Sequence, residues 1–161
     1  MLPTIVERDE QPYVGRRESI TMTEFARVAD QLPEMFGDLT ARGAEIAGPP
    51  FFRYRVIDMA AELVVEAGIP VTGPVEVTEP TFTDTLPAGR YATTRHIGHP
   101  DELIGVTAKL LDWAQDQGLT WDMRQTPSGE IWECRLEQMF TNPAEEPDMH
   151  KWETHLYFKL S

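Results

Sequence analysis

The chain has 161 residues, of which 41% are hydrophobic and 25% charged, as in an ordinary globular domain and unlike a disordered or fibrous chain. It carries 27 acidic and 14 basic side chains, a formal net charge of −13, and the acids are spread evenly on either side of Pro80. Such a surface repels phosphate, so we expect no direct nucleic-acid binding and no membrane binding, whereas cationic ligands are attracted. The acidic amino-terminal segment does not resemble a signal peptide, which predicts a cytoplasmic protein.

Two segments have the hydrophobic spacing of amphipathic helices. The first begins at Thr21, where a glutamate three residues later makes a capping box, and it ends near Gly43. Pro33 lies inside this segment, so we expect the helix to kink or restart there. The second helix is predicted from Pro100 to Gly118, with two acids in its first turn.

The other ordered segments are predicted to be β-strands, because apolar and polar residues alternate in them and proline and glycine separate them. The first and fourth are long enough to contain two strands each. The predicted strands span residues 4–19, 51–58, 60–67, 81–98, 130–141 and 151–160.

An internal repeat organises these elements. Tyr13 aligns with Tyr91, the first helix with the second, and residues 53–59 with residues 133–139. The repeat predicts a single α+β domain, residues 1–161, built from two β-α-β-β modules, residues 1–79 and 80–161. We expect an antiparallel sheet with both main helices on one side and a ligand cleft between the modules.

Strand alternation predicts which side chains face that cleft. In the fifth predicted strand, Cys134 and Leu136 are expected to face the core, while Glu137 and Met139 point away from it. Tyr157 of the last strand is expected on the same side as Glu137 and Met139. Cys134 is the only cysteine, so an internal disulfide is excluded and a buried structural thiol is expected.

Several motifs in the second half occur in a characteristic order: Leu-Pro-Ala-Gly-Arg-Tyr-Ala at 86–92, His-Ile-Gly-His-Pro-Asp-Glu-Leu at 96–103, Glu-Gln-Met-Phe-Thr-Asn-Pro at 137–143 and Thr-His-Leu-Tyr-Phe-Lys-Leu at 154–160. With them the chain resembles the GyrI-like small-molecule-binding domain, the effector-binding module of AraC-type and MerR-type regulators, in a stand-alone form. The resemblance implies a duplicated fold (an SHS2 duplication) with a ligand cleft between the copies. Met139 and Lys159 stand where the family pattern has tyrosine and proline.

The resemblance also implies a ligand class. Multidrug-binding members of the family hold large planar cations between aromatic rings over a buried carboxylate, and Glu137 matches that carboxylate. Such cations lose less hydration than compact ones, and each aromatic face adds roughly 0.5–2 kcal/mol. No cofactor is expected, and His96 and His99 lack the further ligands of a metal site. The candidate ligand-binding residues are Phe51, Ile57, Tyr91, Trp121, Glu137, Met139 and Tyr157.

Three functions remain open. The first is binding of hydrophobic, often cationic aromatic molecules, by sequestration or as a sensor, alone, as a homodimer or with a regulator as partner. The second is hydrolysis of cyclopropane-bearing, DNA-alkylating natural products, with Glu137 as general base and Tyr157 polarising the substrate. The third is a protein-interaction role such as gyrase inhibition, to which the acidic surface would contribute by resembling DNA.

Overall fold

The computed structural model describes residues 2–58 and 60–161. Within them the chain forms ten β-strands and three α-helices. The helices are α1 Ala26–Ala29, α2 Gln31–Ala41 and α3 Leu103–Asp116. The strands are β1 Thr4–Arg8, β2 Gln11–Ile20, β3 Phe51–Ile57, β4 Leu63–Pro70, β5 Phe82–Leu86, β6 Gly89–Ile97, β7 Met123–Thr126, β8 Gly129–Trp132, β9 Arg135–Met139 and β10 Glu153–Lys159.

Eight strands form one antiparallel sheet in the order β1-β6-β10-β9-β3-β4-β2-β5, and the β7–β8 hairpin pairs with β3. Short links at residues 9–10 and 87–88 join strands from opposite ends of this order, so the sheet curls into a half-barrel. The helices cover the outside of the curl, and the predicted α+β architecture is confirmed. We call the outside the helix face and the inside the inner face.

The helix boundaries follow from local chemistry. The first predicted helix is divided at Asp30, because α2 places Pro33 in its first turn, where a missing N–H costs no hydrogen bond. Gly43 and Gly118 follow α2 and α3 with φ of +70° and +71°, a left-handed conformation that favours glycine. None of the helices in residues 2–58 and 60–161 is long and apolar enough to cross a membrane.

Each half of the helix face has its own core. The α1–α2 pair covers the β2, β3 and β4 residues, among them Phe52 and Tyr54, and α3 covers the β6 and β10 residues, among them Leu156 and Phe158. Ile57 contacts both cores. Both halves run strands, helix, strands, but the second half has the additional β7–β8 hairpin between its helix and β9. The division of the chain at residues 79 and 80 stays a prediction.

A third cluster fills the inner face. It joins residues from strands that are far apart in the sheet order, which is how side chains inside a curl meet. Tyr13 and Tyr91, which the repeat aligns, both lie in it fully buried. Its buried members are Tyr13, Phe51, Leu86, Tyr91, Cys134 and Leu136.

The inner face also contains a buried charge, the carboxylate of Glu66 on β4. It accepts hydrogen bonds from the Tyr13 hydroxyl and from Arg17 Nη2, the latter at 2.7 Å. Arg53 donates at 2.9 Å to the Tyr13 oxygen and at 2.8 Å to the carbonyl oxygen of Glu133. The network therefore connects β2, β3 and β4 to the segment between β8 and β9.

The orientation predicted for β9 is wrong. Leu136 pairs with Tyr157 and lies on the inner face, whereas Glu137 pairs with Phe52 and Leu156 on the helix face. Met139 also packs on the helix face, against the core under α1 and α2. Both faces of β9 are covered, so an apolar residue such as Leu136 does not reveal which side the helices occupy.

A β-bulge accounts for a second difference. Unbroken alternation would place Phe51 and Ile57, six residues apart, on one face of β3, but the pairing of β3 with β4 shifts between Tyr54 and Val56. Beyond the shift Ile57 lies on the helix face, while Phe51 remains on the inner face.

Cys134 provides a test of this packing. Its side chain is fully buried in the inner-face cluster, and burial raises the pKa of its thiol. At pH 8 we expect a thiol reagent to modify it at least a hundredfold more slowly in the native protein than in urea, because the reagent reacts with exposed thiolate. Reaction monitored by absorbance measures both rates. Equal rates would contradict the closed inner face.

Candidate functional site

The two helix-covered halves meet along a line on the helix face where β3 and β9 pair. We call this line the central seam and define it by Tyr54, Ile57, Arg135, Glu137 and Met139. Tyr54 is largely buried, and the other four side chains are half-buried, so the seam lies at the surface between two packed cores. Strand alternation places these β9 residues there, because every second side chain of a strand points to the same face.

Glu137 occupies the middle of the seam. The Tyr54 hydroxyl donates a hydrogen bond to its carboxylate. Burial raises the pKa of the Glu137 carboxyl, and the Tyr54 hydrogen bond and the Arg135 charge oppose that rise without cancelling it. The carboxyl is therefore an acid whose charged form is incompletely compensated within the protein.

Arg135 lies beside Glu137 and was absent from the predicted site. Its guanidinium carbon is 4.4 Å from the ring centroid of Phe158, 4.8 Å from that of Trp132 and 5.8 Å from that of Tyr54. Its Nη1 lies 4.0 Å from a carboxylate oxygen of Glu130, and its Nε has no hydrogen-bond partner in the described residues. Burial lowers the pKa of Arg135. The seam thus already contains one delocalised cation on aromatic faces.

Trp121 packs against the aromatic rings on which Arg135 stacks. It follows α3, and its ring packs at centroid distances of 5.6 Å from Trp132 and 5.8 Å from Phe158. Its backbone bridges to Leu160, next to the end of β10. Trp121 therefore reaches the seam only indirectly, through its contacts with Trp132 and Phe158.

The three remaining candidates lie on the inner face. Phe51 and Tyr157 line a cavity of about 260 Å³ at the open end of the curl, and Tyr91 lies buried next to it. The structure thus divides the predicted residues between two places: Glu137, Met139, Ile57 and Trp121 on the helix face, and Phe51, Tyr91 and Tyr157 on the inner face. Their roles as ligand contacts stay predictions.

The site is thus a half-buried acid between two helix-covered halves of a curled sheet. The chain belongs to the family of GyrI-like small molecule binding domains, whose sequence profile matches residues 1–160. No curated protein matches the chain.

Solved structures share the fold. The EcmrR C-terminal domain has a TM-score of 0.80 at 16% identity, over 99% of this chain and 97% of that one. In EcmrR bound to DNA the score and identity are the same, but this chain spans only 57% of that chain. SAV2435 bound to tetraphenylphosphonium has a TM-score of 0.61 at 12% identity, covering 100% and 94%. A hydrolase from Listeria innocua has a TM-score of 0.60 at 12% identity, covering 99% and 91%.

The environment of Glu137 predicts a pH dependence. A carboxyl whose pKa is raised by folding binds more protons in the native than in the unfolded protein, so its contribution to stability falls as the pH rises from its ordinary value of 4.5 through the folded pKa. Glu137→Gln removes this titration. We expect the free energy of unfolding of the variant, relative to wild type, to increase from pH 4.5 to pH 8 in urea titrations. A constant difference would show that Glu137 is solvated like a surface acid.

Proposed function

We propose that this protein binds hydrophobic aromatic cations at the central seam, with Glu137 as the complementary charge, and so sequesters or senses them. The observation that carries the proposal is the half-buried Glu137 carboxyl with a raised pKa, which lies between two helix-covered cores. A cation placed beside this carboxylate would compensate its charge, and binding would release the proton that the raised pKa retains.

The walls of the seam suit such a ligand. Met139 and Ile57 are apolar and half-buried, and a methionine adapts to ligands of different shape. The guanidinium of Arg135 already stacks on Phe158 and Trp132, so these rings accept a flat, delocalised positive charge. The net charge of −13 attracts cations from a distance. Tetraphenylphosphonium, the molecule bound to SAV2435, is a hydrophobic aromatic cation whose four rings surround a tetrahedral phosphorus.

The test is Glu137→Gln, which preserves the shape of the side chain and removes its charge. Loss of a charge-assisted contact costs roughly 1.5–3 kcal/mol, so the affinity for tetraphenylphosphonium should fall about tenfold to a hundredfold. A neutral aromatic ligand of similar size should bind as before or better, because the site no longer buries an unpaired carboxylate. Isothermal titration calorimetry measures both affinities.

Glu133→Gln is the matched control, since Glu133 precedes β9, is exposed and loses the same charge. It should leave cation affinity almost unchanged. If Glu133→Gln weakened cation binding as much as Glu137→Gln did, the effect would come from the net charge of the surface and the proposal would be wrong.

Arg135 should compete with the ligand. It covers the aromatic faces and partly compensates Glu137, so Arg135→Met should increase tetraphenylphosphonium affinity by about twofold to thirtyfold, from the roughly 0.5–2 kcal/mol of a cation–aromatic contact. Arg124→Met, at an exposed position on β7, adds the same net charge change and should have little effect. Equal gains in the two variants would leave no role for stacking.

Hydrolysis is the second candidate, because Tyr54 donates to Glu137 and this pair could act as polarising hydroxyl and general base. Tyr157, the partner first considered, lies on the other face. A raised pKa brings a carboxylate closer to the basicity that such a base needs near neutral pH. The same Glu137→Gln sample separates the two functions: a hydrolase would lose turnover of a cyclopropane-bearing substrate yet still bind it.

A further inference from the structure

The cavity at the open end of the curl is separate from the central seam and has a different chemistry. It encloses about 260 Å³, slightly less than the roughly 300 Å³ at the lower end of drug-sized pockets, so it suits a ligand of one or two rings. Phe51 and Leu136, both fully buried, form its floor. Its lining includes Arg8, Phe51, Leu86, Leu136, Gln138 and Tyr157.

The floor of the cavity is closely packed. The Phe51 ring lies directly on the backbone of Gly68, where any larger residue would collide with it. At the rim, Gln138 Nε2 donates to the carbonyl oxygen of Pro49 at 3.0 Å, and Gln11 Nε2 donates to that of Val71 at 2.9 Å. These bonds connect the ends of several strands and hold the entrance in place without a ligand.

Arg8 is the one charged residue in the lining, as far as residues 2–58 and 60–161 are concerned. Its guanidinium carbon lies 4.1 Å from the ring centroid of Tyr157 and 5.6 Å from that of Tyr91. Its Nη1 is buried and has no hydrogen-bond partner within the described residues. A buried donor without an acceptor is costly, and more so when it carries charge, so this nitrogen favours a ligand that provides an acceptor.

We propose that this cavity is a second binding site, specific for small aromatic carboxylates. The ring of the ligand packs against Phe51, Leu86 and Leu136, and its carboxylate accepts a hydrogen bond from Arg8 Nη1. Charge-assisted hydrogen bonds of this kind are about twice as strong as neutral ones. The overall negative charge opposes an anion, but that repulsion is screened over about 8 Å at physiological salt, whereas the Arg8 contact is direct.

The proposed ligand class is opposite in charge to that of the seam, and the two sites lie on opposite faces of one strand. Leu136 points to the cavity and Glu137 to the seam. Both ligands can therefore be bound at once, and each site has its own charged residue to remove. The second site does not depend on the function proposed for the seam.

The experiment compares 2-naphthoate with the neutral 2-naphthamide and the cationic 2-naphthylmethylammonium, by calorimetry on the full chain in 0.15 M salt. We expect naphthoate to bind at least tenfold more tightly than either analogue. Arg8→Met should lower naphthoate affinity about tenfold to a hundredfold, to the level of the amide. Arg90→Met, at an exposed position on the neighbouring β6, should leave it unchanged, and so should Glu137→Gln.

A second measurement needs no variant. In methyl NMR spectra of the wild-type protein, naphthoate should shift Leu86 and Leu136, which line the cavity, and leave Met139 on the helix face unchanged. Equal affinity for the three probes would overturn the proposal. So would an Arg8→Met variant that binds naphthoate like wild type, or shifts at Met139 in place of the two leucines.

Discussion

Glu66 is a carboxylate with no exposed surface, and a buried charge must be paired or the fold loses several kcal/mol. It accepts hydrogen bonds from Tyr13 and Arg17 of β2, and Arg55 of β3 lies 3.8 Å away. Arg53 extends the same network to the Glu133 carbonyl just before β9. These bonds are directional, so they specify how the β2–β4 pair and β9 lie relative to each other. The inner face is closed around this network by aromatic rings, and both candidate sites depend on the strand positions that it sets.

The pairing of β3 with β9 then makes one continuous sheet from two helix-covered halves. Along β9 the side chains alternate between the faces, so Arg135, Glu137 and Met139 reach the seam while Leu136 and Gln138 reach the inner cavity. Charged groups that lack full compensation also lie on both faces. A partly uncompensated acid lies on one side of the strand, and an arginine nitrogen without an acceptor lies on the other. The strand β9 therefore separates the site proposed for cations from the site proposed for anions.

Much of the fold could be predicted because helix periodicity and glycine ends are local signals, and Gly43 and Gly118 end their helices as expected. The face of Tyr157, opposite to the helices, was also predicted correctly, since Leu156 and Phe158 mark the other side of β10 as the helix-covered one. The face of Glu137 was not, because β9 is covered on both sides. The β3 bulge and the stacking of Arg135 depend on contacts between distant residues, and no local pattern indicates them. The β7–β8 hairpin was missed although its link, Pro127-Ser128 followed by Gly129, is a local turn signal.

The alternation along β9 has a consequence for engineering and for divergence within this fold. Substitutions at odd and even positions of the strand change different faces, so each proposed site can be altered while the residues of the other are preserved. An insertion or deletion of a single residue before Arg135 would instead reverse every side chain of the strand. Glu137 would then face the aromatic interior and Leu136 the helices, and both sites would be lost in one step. Variation in this strand should therefore occur by replacement at constant length.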